Sequence, residues 1–309
     1  MITGAGGFVA PFVARAVRAA AGADCTIIGA AQHEGEHPDI GPIAAMDLTD
    51  AAAVSDTFAR SKPTHVIHLG GVSSPTAAEA DPDRAWDVNV LGALRCARAL
   101  HAVDPESVFV FAGSGLIYAA PNGDAALTEA DPIEPVGEYA TTKAAADLAL
   151  GALARRGLRI VRFRPFNHTG PGQTEDFVVP RFAAQVARIE AGQQEPIIKV
   201  GNLAARRDFL DVRDVARAYV LALTAPWAPA AVFNLASGRA ESIQWVLDFL
   251  VSMARRPVRV ETDPARWRAV DAPIMRGDAT AASAALGWRP ERPLEATLTD
   301  VLEHWRAAV

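Results

Sequence analysis

Short runs of β-branched and aromatic residues alternate with longer, alanine-rich stretches of helical period along the first half of the chain. TIIGA (26–30), THVIHLGG (64–71), SVFVFAG (107–113) and RIVRFRP (159–165) are almost continuously apolar, as strands buried on both faces are. Between them apolar positions return every three or four residues. In 83–101, Trp86, Val88, Leu91, Leu94, Ala97 and Leu100 fall mostly on one predicted helix face. Strands alternating with crossover helices predict an α/β fold whose parallel sheet is covered on both sides.

The pattern loosens after Pro165. GPGQTEDFVVP (170–180) and KVGNLAARRDFLD (199–211) are loop-rich, and 257–293 carries five prolines, so these segments are expected to carry binding groups on a rigid base. VFNLASG (232–238) returns one more strand to the sheet. The predicted division is a dinucleotide-binding domain over 1–165 with a returning segment at about 211–236. A smaller, discontinuous C-terminal lobe over 166–210 and 237–309 is expected to bind substrate. No fixed-period repeat, heptad or low-complexity tract is present.

Chemistry enters with TGAGGFVA (3–10). Gly4 and Gly7 stand three apart and Ala10 three further on, ahead of the helical stretch FVARAVRAAAG. The first glycine permits a tight turn, the second a close approach to a pyrophosphate, and the small third residue lets helix and strand pack. Backbone amides around Phe8 and Val9, at the helix start, would hold the phosphates. TIIGA follows about 20 residues on, as a dinucleotide-binding βαβ unit requires. Only Met1 and Ile2 precede the turn, so either the start is truncated or the first strand is unusually short.

TIIGA runs into Ala31, Gln32 and His33, with no Asp or Glu to bond an adenosine 2′-hydroxyl. No Arg stands there for a 2′-phosphate either. The missing acid removes a repulsion, which favours NADP(H), with NAD(H) as the alternative. Asp47 and Leu48, in MDLTD, either flank the adenine or open the next helix.

EYATTKAAAD (138–147) sets Tyr139 and Lys143 four apart on one helix face. The pair is either an exposed aromatic beside a surface lysine or a proton-transfer device. In the second case the ammonium favours phenolate and brings the tyrosine pKa from about 10 toward neutrality.

Composition narrows the partners. Half of the 309 residues are hydrophobic and the formal charge is −6, which gives no electrostatic reason to expect nucleic acid or an anionic membrane. Cys25 and Cys96 have no metal-like spacing, so a reducing compartment without metal or disulfide scaffold is expected. No apolar run approaches the ~20 residues of a membrane span, and the start lacks the basic character of a signal peptide; the expected location is cytoplasmic.

The order TGAGGFVA, AGSGLIY (112–118), YATTK resembles the extended branch of the short-chain dehydrogenase/reductase family, and the resemblance runs from residue 2 to the end. It implies a Rossmann-type doubly wound parallel sheet with Ser114, Tyr139 and Lys143 as the catalytic set. Ser114 would bond the carbonyl or alcohol oxygen, Tyr139 act as acid/base, and Lys143 tune it and hold the nicotinamide ribose. Asn89 matches the family's helix asparagine, a structural or proton-relay position. Leu69, Gly70, Gly71 and Pro165 would complete the cofactor site, and a homodimer through helices 83–101 and 138–156 is implied.

Within the family, RPFNHTGPGQ (164–173) and IIKVGNLAARRDFLDVRDV (197–215) resemble members acting on GDP-sugars, most of all those reducing GDP-4-keto-6-deoxy-mannose to GDP-rhamnose for surface polysaccharide. By that resemblance Ser73, Asn167, Val178, Arg181, Lys199 and Asn202 would bind the GDP-linked deoxyhexose. Arg207 would meet the diphosphate, joined by Arg268, with Asp271 on the ribose in place of a longer Glu. Related 4,6-dehydratases place a Glu two residues after the catalytic Ser or Thr. Leu116 cannot act as that base, so elimination is not expected and hydride transfer is. Reductases of the group often keep acidic character there, so the leucine is a departure. A nucleotide-sugar 4-epimerase with tightly held NAD, and a non-catalytic nucleotide-sugar-binding protein, are the alternatives.

Overall fold

The first residues of the chain form the middle of its sheet. A computed structural model describes residues 1–22, 25–121, 123–263 and 272–309. The order begins β1 (Ile2–Thr3), α1 (Ala10–Ala21), β2 (Gly29–Ala31), β3 (Gly35–His37), β4 (Gly41–Ala45), α2 (Ala51–Ser61) and β5 (His65–His68). It continues through α3 (Pro75–Ala80), α4 (Pro82–Trp86), a π-helical turn (Asp87–Gly92), α5 (Ala93–Val103), β6 (Val108–Ala112), a 3₁₀ turn (Gly115–Ile117), α6 (Gly137–Arg155) and β7 (Ile160–Pro165). Then come β8 (Asn167–Thr169), α7 (Val178–Glu190), β9 (Ile197–Val200), β10 (Arg206–Asp211), α8 (Val212–Thr224) and β11 (Val232–Leu235). The last are β12 (Ala240–Ser242), α9 (Ile243–Ser252), β13 (Arg259–Thr262), β14 (Ile274–Met275), α10 (Thr280–Leu286) and α11 (Leu294–Ala308).

Eight strands lie in the order β11-β7-β6-β5-β1-β2-β4-β3, parallel except for β3 against β4. One apolar layer gathers α1 and α8 against one side of this sheet, and the other gathers α2, α5 and α6. The doubly wound sheet predicted above is therefore present. Strand order reverses at β1, and in such sheets the crevice at the carboxyl ends beside the reversal receives ligands.

Three local expectations need correction. TIIGA pairs only over Gly29–Ala31, because β1 beside it contributes two residues. The 83–101 stretch is not one regular helix, since the π turn adds a residue and shifts the helical phase. Val88, Leu94, Ala97 and Leu100 are consequently buried while Trp86 and Leu91 are exposed. Finally, α10 and Trp288 join the core of the main sheet although they fall inside the range predicted for the lobe. Asp214 on α8 draws them back: its carboxylate accepts the Glu291 and Arg292 amides at 3.0 Å each, and its carbonyl accepts the Trp288 indole N–H at 2.9 Å.

The remaining segments build a smaller body. β10 pairs with β8, β12 and β14, β9 with β13, and α7, α9 and α11 enclose a separate apolar cluster. A buried polar network locks α6 onto the main sheet. Asp147 accepts from Arg162 at 2.7 Å and from Arg164 at 3.0 and 3.1 Å. Arg164 also donates to the Tyr118 hydroxyl, which donates to Asn234 on β11 at 2.6 Å. Among the described residues no helix is long and apolar enough to cross a membrane.

Candidate active site

A cleft of about 620 Å³ opens at the carboxyl ends of the central strands. Its floor is the glycine-rich turn. Gly4 has φ +71°, and a Cβ there would sit 2.6 Å from the Gly70 backbone nitrogen, so the β1 and β5 loops approach only because Gly4 is bare. α1 follows with no side-chain cap at its N-cap Val9; Pro11 carries no amide proton, and the Ala10 and Phe12 amides bond the Gly7 and Val9 carbonyls at 3.3 and 3.1 Å, so the Phe8 and Val9 amides of the preceding turn are the ones placed for an anion. The cradle and these amides fit a dinucleotide pyrophosphate. Gly4→Ala is expected to destabilise the fold by ~1–3 kcal/mol through strain and to remove dinucleotide binding in a fluorescence titration; unaltered affinity would refute the close-approach argument.

Ser114 leaves β6 buried and caps the 3₁₀ turn, its Oγ accepting the Leu116 amide at 3.1 Å. The Tyr139 hydroxyl, from α6, hydrogen-bonds with Ser114. One helical turn on, buried Lys143 donates from Nζ to the Ala112 carbonyl at 3.1 Å and lies 5.5 Å from the Phe111 ring centre. Burial pushes the Lys143 ammonium down to about 8. The expected lowering of Tyr139 is not what this geometry gives. Burial pushes the phenol above its ordinary value, against the Ser114 hydrogen bond. Tyr139 is thus a loaded proton donor at neutral pH.

The pair is positioned from outside its own helix. Asn89, in the π turn, accepts the Val72 amide at 2.8 Å and donates to Thr142 Oγ1 at 3.0 Å. Thr142 donates in turn to the Tyr139 carbonyl at 2.9 Å. Asn89 therefore ties the loop after β5 to the helix bearing Tyr139 and Lys143. Beneath them His68 is fully buried, bonded to Thr3 at 2.7 Å and stacked on Phe109 and Phe111. Burial, aided by Lys143, holds its imidazole down to about 3.

The residues expected around the cofactor converge here: Gly4, Gly7, Phe8, Val9, Gln32, Asp47, Leu48, Leu69, Gly70, Gly71 and Pro165 all line the cleft with Ser114, Tyr139 and Lys143. Of the expected substrate residues, Ser73, Asn167 and Val178 line it too. Among the described residues Arg181, Lys199, Asn202 and Arg207 do not line it. Arg181 donates to the Glu175 and Asp176 carbonyls, Asn202 accepts the Ala204 amide, and Arg207 donates to the Arg206 and Ala272 carbonyls. Lys199 is exposed on β9 opposite Glu261. Arg268 and Asp271 lie outside the described residues.

Among the lining residues that escaped the sequence reading are His168 and Arg84. His168, inside the quoted FNHTGPGQ, stacks on Phe8 with ring centres 6.5 Å apart; an imidazole beside a motif asparagine was the available signal. Arg84 carried none, being brought in by folding. Leu116 lines the cleft beside the catalytic set, so the position two after Ser114 presents hydrocarbon where elimination needs a base.

Comparison with known proteins agrees with this geometry. A sequence model of the NAD dependent epimerase/dehydratase family matches residues 1–236. GDP-6-deoxy-D-mannose reductase of Pseudomonas aeruginosa is 34% identical over 266 residues, covering 85% of this chain and 86% of that protein. UDP-glucose 4-epimerase of Corynebacterium glutamicum is 28% identical over 305 residues, covering 94% and 90%. The solved structure of RMD from Pseudomonas aeruginosa complexed with NADPH superposes with a TM-score of 0.82 at 29% identity, covering 100% of this chain and 99% of that one.

Proposed function

The chain belongs to the NAD dependent epimerase/dehydratase family, and from that premise we propose that it reduces the C4 ketone of a GDP-4-keto-6-deoxyhexose with NADPH. The observation that carries the reading is the Ser114–Tyr139–Lys143 set in a cleft whose next position, Leu116, is hydrocarbon. A reduction needs a hydride, a proton and an oriented carbonyl; an elimination needs a base as well, which Leu116 cannot supply. The 34% identical relative named as a GDP-6-deoxy-D-mannose reductase supports the substrate class. The product would be GDP-rhamnose or its C4 epimer, a donor for surface polysaccharide.

A nicotinamide cofactor, when bound, supplies the hydride. Every other requirement falls to this chain. The backbone of the glycine turn and the Gly70–Gly71 loop would hold the dinucleotide, with Lys143 as the residue to bond its ribose. Ser114 donates to the ketone oxygen and fixes it beside Tyr139. The Tyr139 hydroxyl gives that oxygen its proton, and the phenolate left behind is stabilised by the ammonium one turn along α6. The smaller body closes the sugar-nucleotide end through Asn167 and Val178. Exposed Leu91 in the π turn before α5 and exposed Leu148 on α6 support pairing of two copies there.

Lys143 sets a pH limit. Its ammonium is retained below about 8 and lost as pH rises through that value, so kcat/KM is expected to fall on the alkaline side with a limb near pH 8. A pH–rate profile checks this, and an alkaline limb that stays in place in Lys143→Arg would assign it to another group.

The function is tested by supplying GDP-4-keto-6-deoxy-mannose with NADPH and following its oxidation, with NMR of the sugar formed. Stoichiometric NADPH loss with a new C4 alcohol supports the reductase. Interconversion of a GDP- or UDP-hexose without net cofactor consumption, by protein that retains NAD through purification, establishes the 4-epimerase instead.

A further inference from the structure

The adenosine end of the cleft holds a cation that no local motif announces. Arg84 stands exposed on α4, and its Nη2 donates to Gln32 Oε1 at 3.2 Å across 52 residues of chain. Both residues line the cleft. Gln32 lies just past β2, where dinucleotide-binding folds that select NAD keep an acid for the ribose 2′-hydroxyl.

The chemistry of this corner is lopsided. Ala31 offers nothing, and the carbonyl oxygen of Gln32, which alone of its amide atoms accepts a hydrogen bond, is already engaged by Arg84. A 2′-hydroxyl would find donors and little to accept its own proton. A 2′-phosphate, bearing up to two negative charges, would find a planar guanidinium whose present side-chain partner among the described residues is a neutral amide. Exchanging that amide for a phosphate oxygen converts a neutral acceptor into a charge-assisted, bidentate one.

Asp47 also lines the cleft, its carboxyl held below the ordinary range by Thr49 first and then, more weakly, by Arg84 and Arg95. Arg95 is occupied, donating to the Leu48 carbonyl at 2.9 Å and to Asp87 at 2.6 Å. Arg84 is held only lightly: its amide caps back to Asp81 at 3.1 Å, which fixes the backbone and leaves the guanidinium free to turn about Gln32.

We propose that Arg84, reaching from α4 to the end of β2, is the residue that recognises the adenosine 2′-phosphate and so selects NADPH over NADH. This rests on the reading of the chain as a nicotinamide enzyme, but not on its sugar substrate.

The test is direct binding, by fluorescence titration of NADPH and of NADH against wild type, Arg84→Ala and Arg84→Lys, alongside steady-state oxidation of both with the ketosugar. The expected result is a wild-type preference for NADPH, a ratio of NADPH to NADH affinity at least tenfold lower in Arg84→Ala, and an intermediate ratio in Arg84→Lys. A preference that survives in Arg84→Ala overturns the proposal, because another group then holds the phosphate. A wild type that binds both cofactors equally also overturns it while leaving reductase chemistry standing. If the affinity ratio falls as expected but neither cofactor is oxidised, Arg84 keeps its role and the reductase reading is the one that fails.

Discussion

Tyr139→Phe is expected to lower kcat for ketosugar reduction by two to four orders of magnitude, the range lost with a positioned general acid. The substitution removes one oxygen and leaves the ring in place. Its structural cost is the hydrogen bond with Ser114, worth about 1 kcal/mol, so the melting temperature moves little. KM for the sugar nucleotide is expected to stay within a few-fold, because the phenol acts on the oxygen that changes charge and not on the nucleotide. A loss of less than tenfold would place the proton source elsewhere, and the proposed chemistry would have to be abandoned.

The largest stability effect is expected at Asp147→Asn. Asp147 is fully buried and holds two guanidinium groups, also buried, at 2.7 to 3.1 Å. Neutralising it leaves two cations in the interior with no counter-charge, which costs about 3–5 kcal/mol, whereas replacing a whole buried ionic cluster by apolar residues is often tolerated. Unfolding in urea should therefore show a midpoint well below wild type. Adding Arg162→Met to Asp147→Asn should recover part of the loss, by removing one of the stranded charges. A single variant that unfolds at the wild-type midpoint would mean that water, and not Asp147, compensates these arginines. Activity should fall with stability, because the network fastens α6, and α6 carries Tyr139 and Lys143.

Much of the architecture was legible in the sequence because a strand buried on both faces is predominantly apolar: β6 is wholly so, and β5, β7 and β11 are interrupted only by His65 and His68, Arg162 and Arg164, and Asn234. Their ends were not legible. Pairing stops where the neighbour stops, as Gly29–Ala31 beside a two-residue β1 shows. The catalytic set was visible as spacing, since four residues on a helix fix a common face whatever surrounds it. The state of its tyrosine was not, because burial is a property of the packed interior. Arg181, Asn202 and Arg207 were chosen by motif and residue type, yet all three make hydrogen bonds to backbone groups in their own neighbourhood. Arg84 shows the converse: a residue without a motif, placed by a contact spanning 52 residues.

The π turn at Asp87–Gly92 gives this scaffold an unusual sensitivity to insertion and deletion. A π turn is an α-helix carrying one extra residue, and each residue of an α-helix accounts for about 100° of rotation and 1.5 Å of rise. Losing a single codon within 87–92 would rewind the turn to α and swing everything upstream of it about the helix axis relative to α5. Asn89 would leave Val72, and Arg84 would leave Gln32. Lineages on this framework that differ by one residue at this point thus differ in what faces the adenosine, even where every aligned side chain is the same.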